Sequence, residues 1–528
     1  MNVGYILTQK AKQIGDSEAV VFEGKRLTYR DLNNRANRLA NAFLDIGIEK
    51  GNHVLLLSQN CNEFMEAYFA LAKIGGVLVP VNWRLAPREI EYICTNSQSV
   101  AFLVQDDYVP VVNSIREKLG GVNNYICIGQ GTPGNMKSYD ELLEAYPASE
   151  PELEWEVGLD DDVAIIYTSG TTGRPKGAIH THAGHLWHAA NSAIGFQVTQ
   201  KDISLVCCPL FHVAGFHNFS FHMYYVGGKA ILHPRFDETK IFEDIEREKV
   251  TLLFAVSSMV VRLVEHPNVG RHDMSSLRKI WTGAEPFPIP TIRKIKETWP
   301  AVEFIQAYGF TEGISTTSFL EDKFAISKIG SVGKPFYGVE AMVADEQGNE
   351  VPPGGIGELV QKGTQVMREY WNKPPEAGPT FDEKGWYHSG DLVRLDEEGY
   401  MYIVSRIKDM IISGGENIYP AEVEQVLYAH PKIKEAAVIG VPDKKWGEAV
   451  KAIVVLQPGE EMTQEEMIEH CKQNIASYKK PKSVEFMEEL PRLASGKIAK
   501  LELKQMYGKP RQRLSMTGRM AWLSLYSR

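Results

Sequence analysis

The sequence predicts an α/β protein: a large N-terminal domain of layered α/β subdomains with a β-rich subdomain, then a small C-terminal α+β domain. Three observations predict it. Apolar runs of strand length alternate with amphipathic helical stretches between residues 28 and 104, as parallel strands covered by helices require. Residues 333–363 are cut by Gly and Pro into short strand-length pieces. Beyond Pro420, two apolar runs at 436–441 and 453–456 lie among helical patterns. At 528 residues and 44% hydrophobic content the chain can bury large cores and should hold at least two domains.

Each element has a local reason. Thr28 and Asp31 have capping spacing, and Leu32, Ala36, Leu39, Ala40 and Phe43 then recur at helical intervals until Gly47 stops them. Residues 54–57 read as a buried strand, 64–74 as a helix closed by Gly75 and Gly76, and 77–81 and 101–104 as further strands. The run 163–166 reads as another buried strand, and 179–189 as a helix. Residues 216–225, dense in Phe, Met, Tyr and His, read as a core helix with one face free to line an apolar pocket. A helix should start at Pro420, with Val423, Val426 and Leu427 on its apolar face, and another should lie near 465–475.

Composition narrows the function. A formal charge of −10 argues against a general nucleic-acid role. Cys61, Cys94, Cys127, Cys207, Cys208 and Cys471 lack metal-type spacing, which suggests structural thiols in a reducing compartment. No apolar run reaches membrane-spanning length, so a cytoplasmic location is expected. The tail at 508–528 is basic with interspersed aromatics; it reads as a disordered end, with weak contact to an anionic membrane surface as the alternative.

One stretch concentrates chemistry. Ile-Tyr-Thr-Ser-Gly-Thr-Thr-Gly-Arg-Pro-Lys-Gly-Ala, at 166–178, brings three glycines, four aliphatic hydroxyls and Lys176 together. Glycines let backbone N–H groups turn inward as an anion nest, hydroxyls add donors, and a lysine supplies a point charge. It differs from a Walker A loop, because Arg174 and Pro175 separate Gly173 from Lys176 and Gly177 follows.

This stretch resembles the signature of the adenylate-forming superfamily, and the resemblance extends over nearly the whole chain. Matching stretches are Pro-Leu-Phe-His-Val-Ala-Gly at 209–215, Ile-Trp-Thr-Gly-Ala-Glu-Pro at 280–286 and Gln-Ala-Tyr-Gly-Phe-Thr-Glu at 306–312. They continue with Trp-Tyr-His-Ser-Gly-Asp-Leu at 386–392, the run 402–420, and Pro-Arg-Leu-Ala-Ser-Gly-Lys at 491–497. The resemblance implies that Thr168, Ser169, Gly170, Thr171, Thr172, Gly173, Lys176 and Thr311 bind the phosphates of ATP. It implies that Gly283, Ala284, Glu285, Tyr308, Asp391 and Arg406 hold adenosine, and that Glu312 helps bind magnesium. His212 would stand beside the substrate carboxylate, and Lys497 would neutralise the reacting carboxylate and α-phosphate. Lys408 would be the hinge of a mobile C-terminal domain, with Gly414 and Gly415 near the path of the CoA thiol. The domains would be 1–407 and 408–507.

The implied activity is an ATP-dependent acid:CoA ligase working through acyl-AMP, with ATP, magnesium and CoA, on a small carboxylic acid. Aromatic and aliphatic residues in the expected pocket lining, with no arginine ready for a second carboxylate, favour an apolar monocarboxylic acid; a medium- or long-chain fatty acid is the first expectation and an aryl acid the second. Loading of a carrier protein is the runner-up. Amino-acid activation is disfavoured because 211–215 lacks the aspartate that pairs with an ammonium group, and no Gly-Asp-Ser carrier segment follows Lys497. A non-catalytic adenylate binder would have no use for Lys497.

Overall fold

The computed structural model describes residues 2–129, 135–168, 175–283, 287, 289–373, 380–414, 416–492 and 498–508, without the side chains of 219, 289 and 290. Four sheets organise these residues. In the first, seven strands run in the order Lys137–Ser138, Asn124–Ile128, Ala101–Gln105, His53–Leu57, Val77–Val81, Asp162–Thr168 and Lys176–Thr181. Neighbours are parallel except the last pair, an antiparallel hairpin that sets Thr168 opposite Lys176. Strands buried on both faces read as unbroken apolar runs, and His53–Leu57 and Val77–Val81 are buried at every residue.

The second sheet has nine strands. Its parallel centre runs from Glu303–Tyr308 through Lys279–Gly283, Leu252–Phe254, Ile203–Val206 and Lys229–Leu232 to Glu18–Phe22. Antiparallel strands close both edges. A four-stranded antiparallel sheet follows, made of Glu340–Ala344, Ile356–Lys362, Tyr387–Leu395 and Met401–Arg406. Five strands form the last sheet, built on the long hairpin Ile433–Asp443 and Gly447–Leu456 and flanked by the helices Pro420–Tyr428, Gln464–Asn474 and Lys500–Tyr507.

Local signals account for several helix ends. Thr28 caps Tyr29–Asp45 in a reciprocal box with Asp31, and Gly75, at φ +78°, closes Asn62–Ile74 in the left-handed region. The expected helix over 179–189 needs correction. Ile179, His180 and Thr181 belong to the strand Lys176–Thr181, and the helix is His182–Gly195, capped by the Thr181 hydroxyl on the Gly184 N–H. Backbone pairing with the preceding strand, Ile179 opposite Ile165, outweighs helical continuation there. Phe216, Phe221, Met223 and Tyr224 of the aromatic run are buried as expected, but the run forms a π-helix, Ala214–Phe221, followed by one short helix, His222–Val226.

The helices Tyr29–Asp45 and Asn62–Ile74 are joined by a buried charge. Glu66, with no exposed surface, accepts hydrogen bonds from Arg35 Nε at 2.7 Å, Asn62 Nδ2 at 2.5 Å and the Tyr139 hydroxyl at 2.7 Å. Burial alone would lower the Arg35 pKa, but the Glu66 carboxylate outweighs it and raises the guanidinium above its ordinary value. Arg35→Met strands a buried carboxylate and should cost about 3 kcal/mol, seen as a lower midpoint in denaturant titration. An unchanged midpoint would show the pair to be energetically neutral.

Among the described residues all six cysteines are free and buried, and no helix is long and apolar enough to cross a membrane.

Candidate active site

Two carboxylates define the candidate site, each held by a tyrosine. Tyr308 ends the strand Glu303–Tyr308, and its hydroxyl donates to Asp391 Oδ2. Asp391 and Arg406 are cross-strand partners in the antiparallel sheet, and Arg406 Nε sits 2.9 Å from Asp391 Oδ1. Three residues from separated stretches therefore form one hydrogen-bonded unit. Asp391 is 3% exposed while the Arg406 side chain is 47% exposed, so the buried acid is shielded and the guanidinium still meets solvent. Burial and then the neighbouring carboxylate push the Tyr308 phenol well above its usual range, which keeps it a donor.

Glu312 lies in the turn Thr311–Gly313, just past Tyr308. Its Oε1 accepts from the Tyr370 hydroxyl at 2.5 Å, and the Tyr387 hydroxyl is 3.1 Å from that of Tyr370. Lys176 reaches the same place from the first sheet, with its ammonium 5.2 Å from the centre of the Tyr370 ring. The backbone joins these pieces: Met367 N–H donates to the Glu312 carbonyl at 2.7 Å, and Trp371 N–H to the Gly177 carbonyl at 2.8 Å. Glu312 is a hard oxygen donor whose described partner is a neutral phenol, and such a carboxylate fits a magnesium ion that keeps most of its waters.

Gly283 has a packing reason of its own. A Cβ there would lie 2.4 Å from the carbonyl oxygen of Ala307, its partner on the adjoining strand, so only glycine lets the strand carrying Tyr308 come so close. Thr168 faces Lys176 across the hairpin, and Thr311 is buried next to Glu312. His212 is half-buried just before the π-helix, its Nδ1 accepting from the Ala214 N–H at 3.2 Å. Lys408 occupies the turn after Met401–Arg406, where burial and then the Arg406 charge lower its pKa. Gly414, at φ +63°, donates its N–H to the Trp446 carbonyl at 2.8 Å; a Cβ there would meet the Trp446 ring at 2.5 Å. Ser169, Gly170, Thr171, Thr172, Gly173, Ala284, Glu285, Gly415 and Lys497 lie outside the described residues.

Sequence reading missed Tyr370 and Tyr387. Tyr387 stands inside the quoted 386–392 stretch and could have been flagged as a buried phenol beside acids; Tyr370 carries no local mark.

Known proteins match this chain over nearly its whole length. The family model for AMP-binding enzyme matches residues 7–371, and that for the AMP-binding enzyme C-terminal domain matches 422–497. Feruloyl-CoA synthase of Amycolatopsis sp is 37% identical over 500 residues, covering 95% of this chain and 98% of its own. The long-chain-fatty-acid–CoA ligase FadD13 of Mycobacterium tuberculosis is 37% identical over 511 residues, 96% of this chain and 98% of its own. The structure of o-succinylbenzoate CoA synthetase from Bacillus subtilis with its acyl-adenylate intermediate superposes with a TM-score of 0.83 at 33% identity, covering 96% of this chain and 99% of that one. The same enzyme with ATP and magnesium gives a TM-score of 0.83 at 32% identity over 94% of this chain and 99% of that one.

Proposed function

The chain belongs to the AMP-binding enzyme family, and we propose on that premise that it activates an apolar monocarboxylic acid, a medium- or long-chain fatty acid before an aryl acid. The enzyme is an AMP-forming acid:CoA ligase that uses ATP, magnesium and CoA. A carboxylate oxygen attacks the α-phosphorus of ATP and pyrophosphate leaves. The CoA sulfur then attacks the acyl carbon, and AMP leaves.

The observation that carries the reading is the meeting of Tyr308, Asp391 and Arg406 next to Glu312 and Lys176. In our reading Asp391 binds the ribose hydroxyls, Tyr308 stacks on adenine, Arg406 and Lys176 offset phosphate charge, and Glu312 takes magnesium. Magnesium, when bound, would neutralise phosphate oxygens and orient the leaving pyrophosphate. The nest at 168–173 with Thr311 cradles the phosphates, Gly283 with Ala284 and Glu285 lines the base, and His212 meets the acid. We further propose that Lys408 is a hinge that turns residues 408–507 between the two steps, bringing Gly414 and Gly415 to the CoA thiol.

For the acid, the run from His212 to Val226 offers buried Phe216, Phe221 and Met223 and contains no lysine or arginine, which favours an apolar acid without a second carboxylate. The aryl reading is favoured by a feruloyl relative as similar, at 37%, as the fatty-acid one. A panel of acids with ATP and CoA, followed by AMP release, decides. The highest kcat/KM is expected with medium- and long-chain fatty acids; a maximum with aryl acids moves the assignment to them, and no CoA-dependent turnover with any acid removes the proposal.

A further inference from the structure

Behind the candidate site lies a cluster of side chains that the ligase reaction does not use. His180 is the penultimate residue of the strand that carries Lys176, His185 lies in the first turns of His182–Gly195, and His217 is in the π-helix Ala214–Phe221. All three have no exposed surface. Their ring nitrogens converge: His185 Nε2 is 2.9 Å from His217 Nε2 and 3.5 Å from His180 Nδ1, and the three lie within 4.8 Å of one another. On its other side, His185 Nδ1 is 2.5 Å from the Tyr68 hydroxyl.

Pairwise hydrogen bonding serves this arrangement poorly. Burial holds the imidazoles neutral, with His180 down to about 4 and His185 and His217 well below their ordinary value. A neutral imidazole has one N–H and one lone pair. If His185 Nε2–H donates to His217, it has nothing left for His180, whose 3.5 Å contact is at the limit of a hydrogen bond. A single cation accepts all three lone pairs together. Two zinc–nitrogen bonds of about 2.05 Å at a tetrahedral angle separate their nitrogens by roughly 3.3 Å, and the observed 2.9 and 3.5 Å bracket that edge.

We propose that His180, His185 and His217 form a structural site for a divalent cation of the zinc type. Neutral imidazole is the form that ligates, and borderline cations such as zinc favour it, whereas magnesium prefers oxygen. Tyr68 then receives the Nδ1–H of His185 and fixes that ring, as outer partners of metal-bound histidines do. No carboxylate or thiol joins the group among the described residues, and no side chain of it reaches the surface, so the ion is a brace and takes no part in turnover. It would tie the strand bearing Lys176 to the π-helix that follows His212. Such π-helical segments recur at functional sites, and here the wider turn carries the third ligand.

The test reads metal and stability without relying on ligase activity. The full chain, made without a histidine tag in zinc-supplemented minimal medium, should carry close to one zinc per chain by elemental analysis. Refolded with cobalt(II) alone, it should show the intense visible bands of a low-symmetry four-coordinate site. Chelation during refolding should lower the thermal midpoint, and zinc should restore it. His217→Phe should lose the metal, while His222→Gln, altering a buried histidine outside the trio, should keep it. If His217→Phe does not fold, the cobalt spectrum of the unaltered chain still decides. Absence of zinc together with a silent cobalt spectrum and a midpoint indifferent to zinc overturns the proposal, leaving a hydrogen-bonded histidine chain. Equal metal in His217→Phe overturns it too.

Discussion

Lys497→Ala is expected to lower acid-dependent adenylate formation about a thousandfold while thioester formation from supplied acyl-adenylate and CoA largely persists. Negative charge accumulates where the carboxylate meets the α-phosphate, and an ammonium placed there acts only on the first transition state. About a thousandfold corresponds to roughly 4 kcal/mol, within the reach of one aligned charge in a site shielded from water. Lys176 and Arg406, the proposed partners of the phosphates, remain in the variant, so ATP affinity should change less than rate. Acetylating Lys497 removes the same charge and should reproduce the defect. Both half-reactions must be measured on one preparation, since equal loss of the two would show Lys497 to be shared or structural.

Glu312→Gln should depress adenylate formation about a hundredfold, with part of the loss recovered at high magnesium. The amide keeps an oxygen that can accept from the Tyr370 hydroxyl, so packing around the turn is retained and the thermal midpoint should hold. What disappears is the charge, and a hard dication loses most from that change. Acid-dependent pyrophosphate exchange across a magnesium titration separates the possibilities. A variant whose exchange matches the parent at every concentration would remove Glu312 from metal binding.

These expectations rest on residues that the sequence displays unevenly. Elements with local punctuation were legible: the Thr28–Asp31 box and the Gly75 stop act within a few residues of the chain they shape. The segment 179–189 was misread because its apolar spacing fits a strand or a helix, and pairing with Asp162–Thr168 chooses. The Thr181 cap was the mark available and went unused. Within the site, Tyr308, Asp391 and Arg406 stood out in quoted stretches, but their mutual contact is a product of strand register. Tyr370 was hidden because its partner is 58 residues away in the chain. The histidine trio was hidden likewise: His180 and His185 share one short stretch, yet His217 joins them only through packing, 32 residues from His185.

The tyrosines that clothe the two carboxylates also bear on how the site responds to acidity. Burial first, and then the adjoining acids, raise Tyr308, Tyr370 and Tyr387 well above the ordinary phenol range. Each phenol therefore stays protonated, and none can turn into a phenolate that would repel a polyphosphate. The hydroxyls that Tyr308 and Tyr370 hold against Asp391 and Glu312 are thus fixed as donors against alkali. An alkaline decline in rate is therefore expected to originate in a lysine of the proposed site losing its proton, and not in these three phenols.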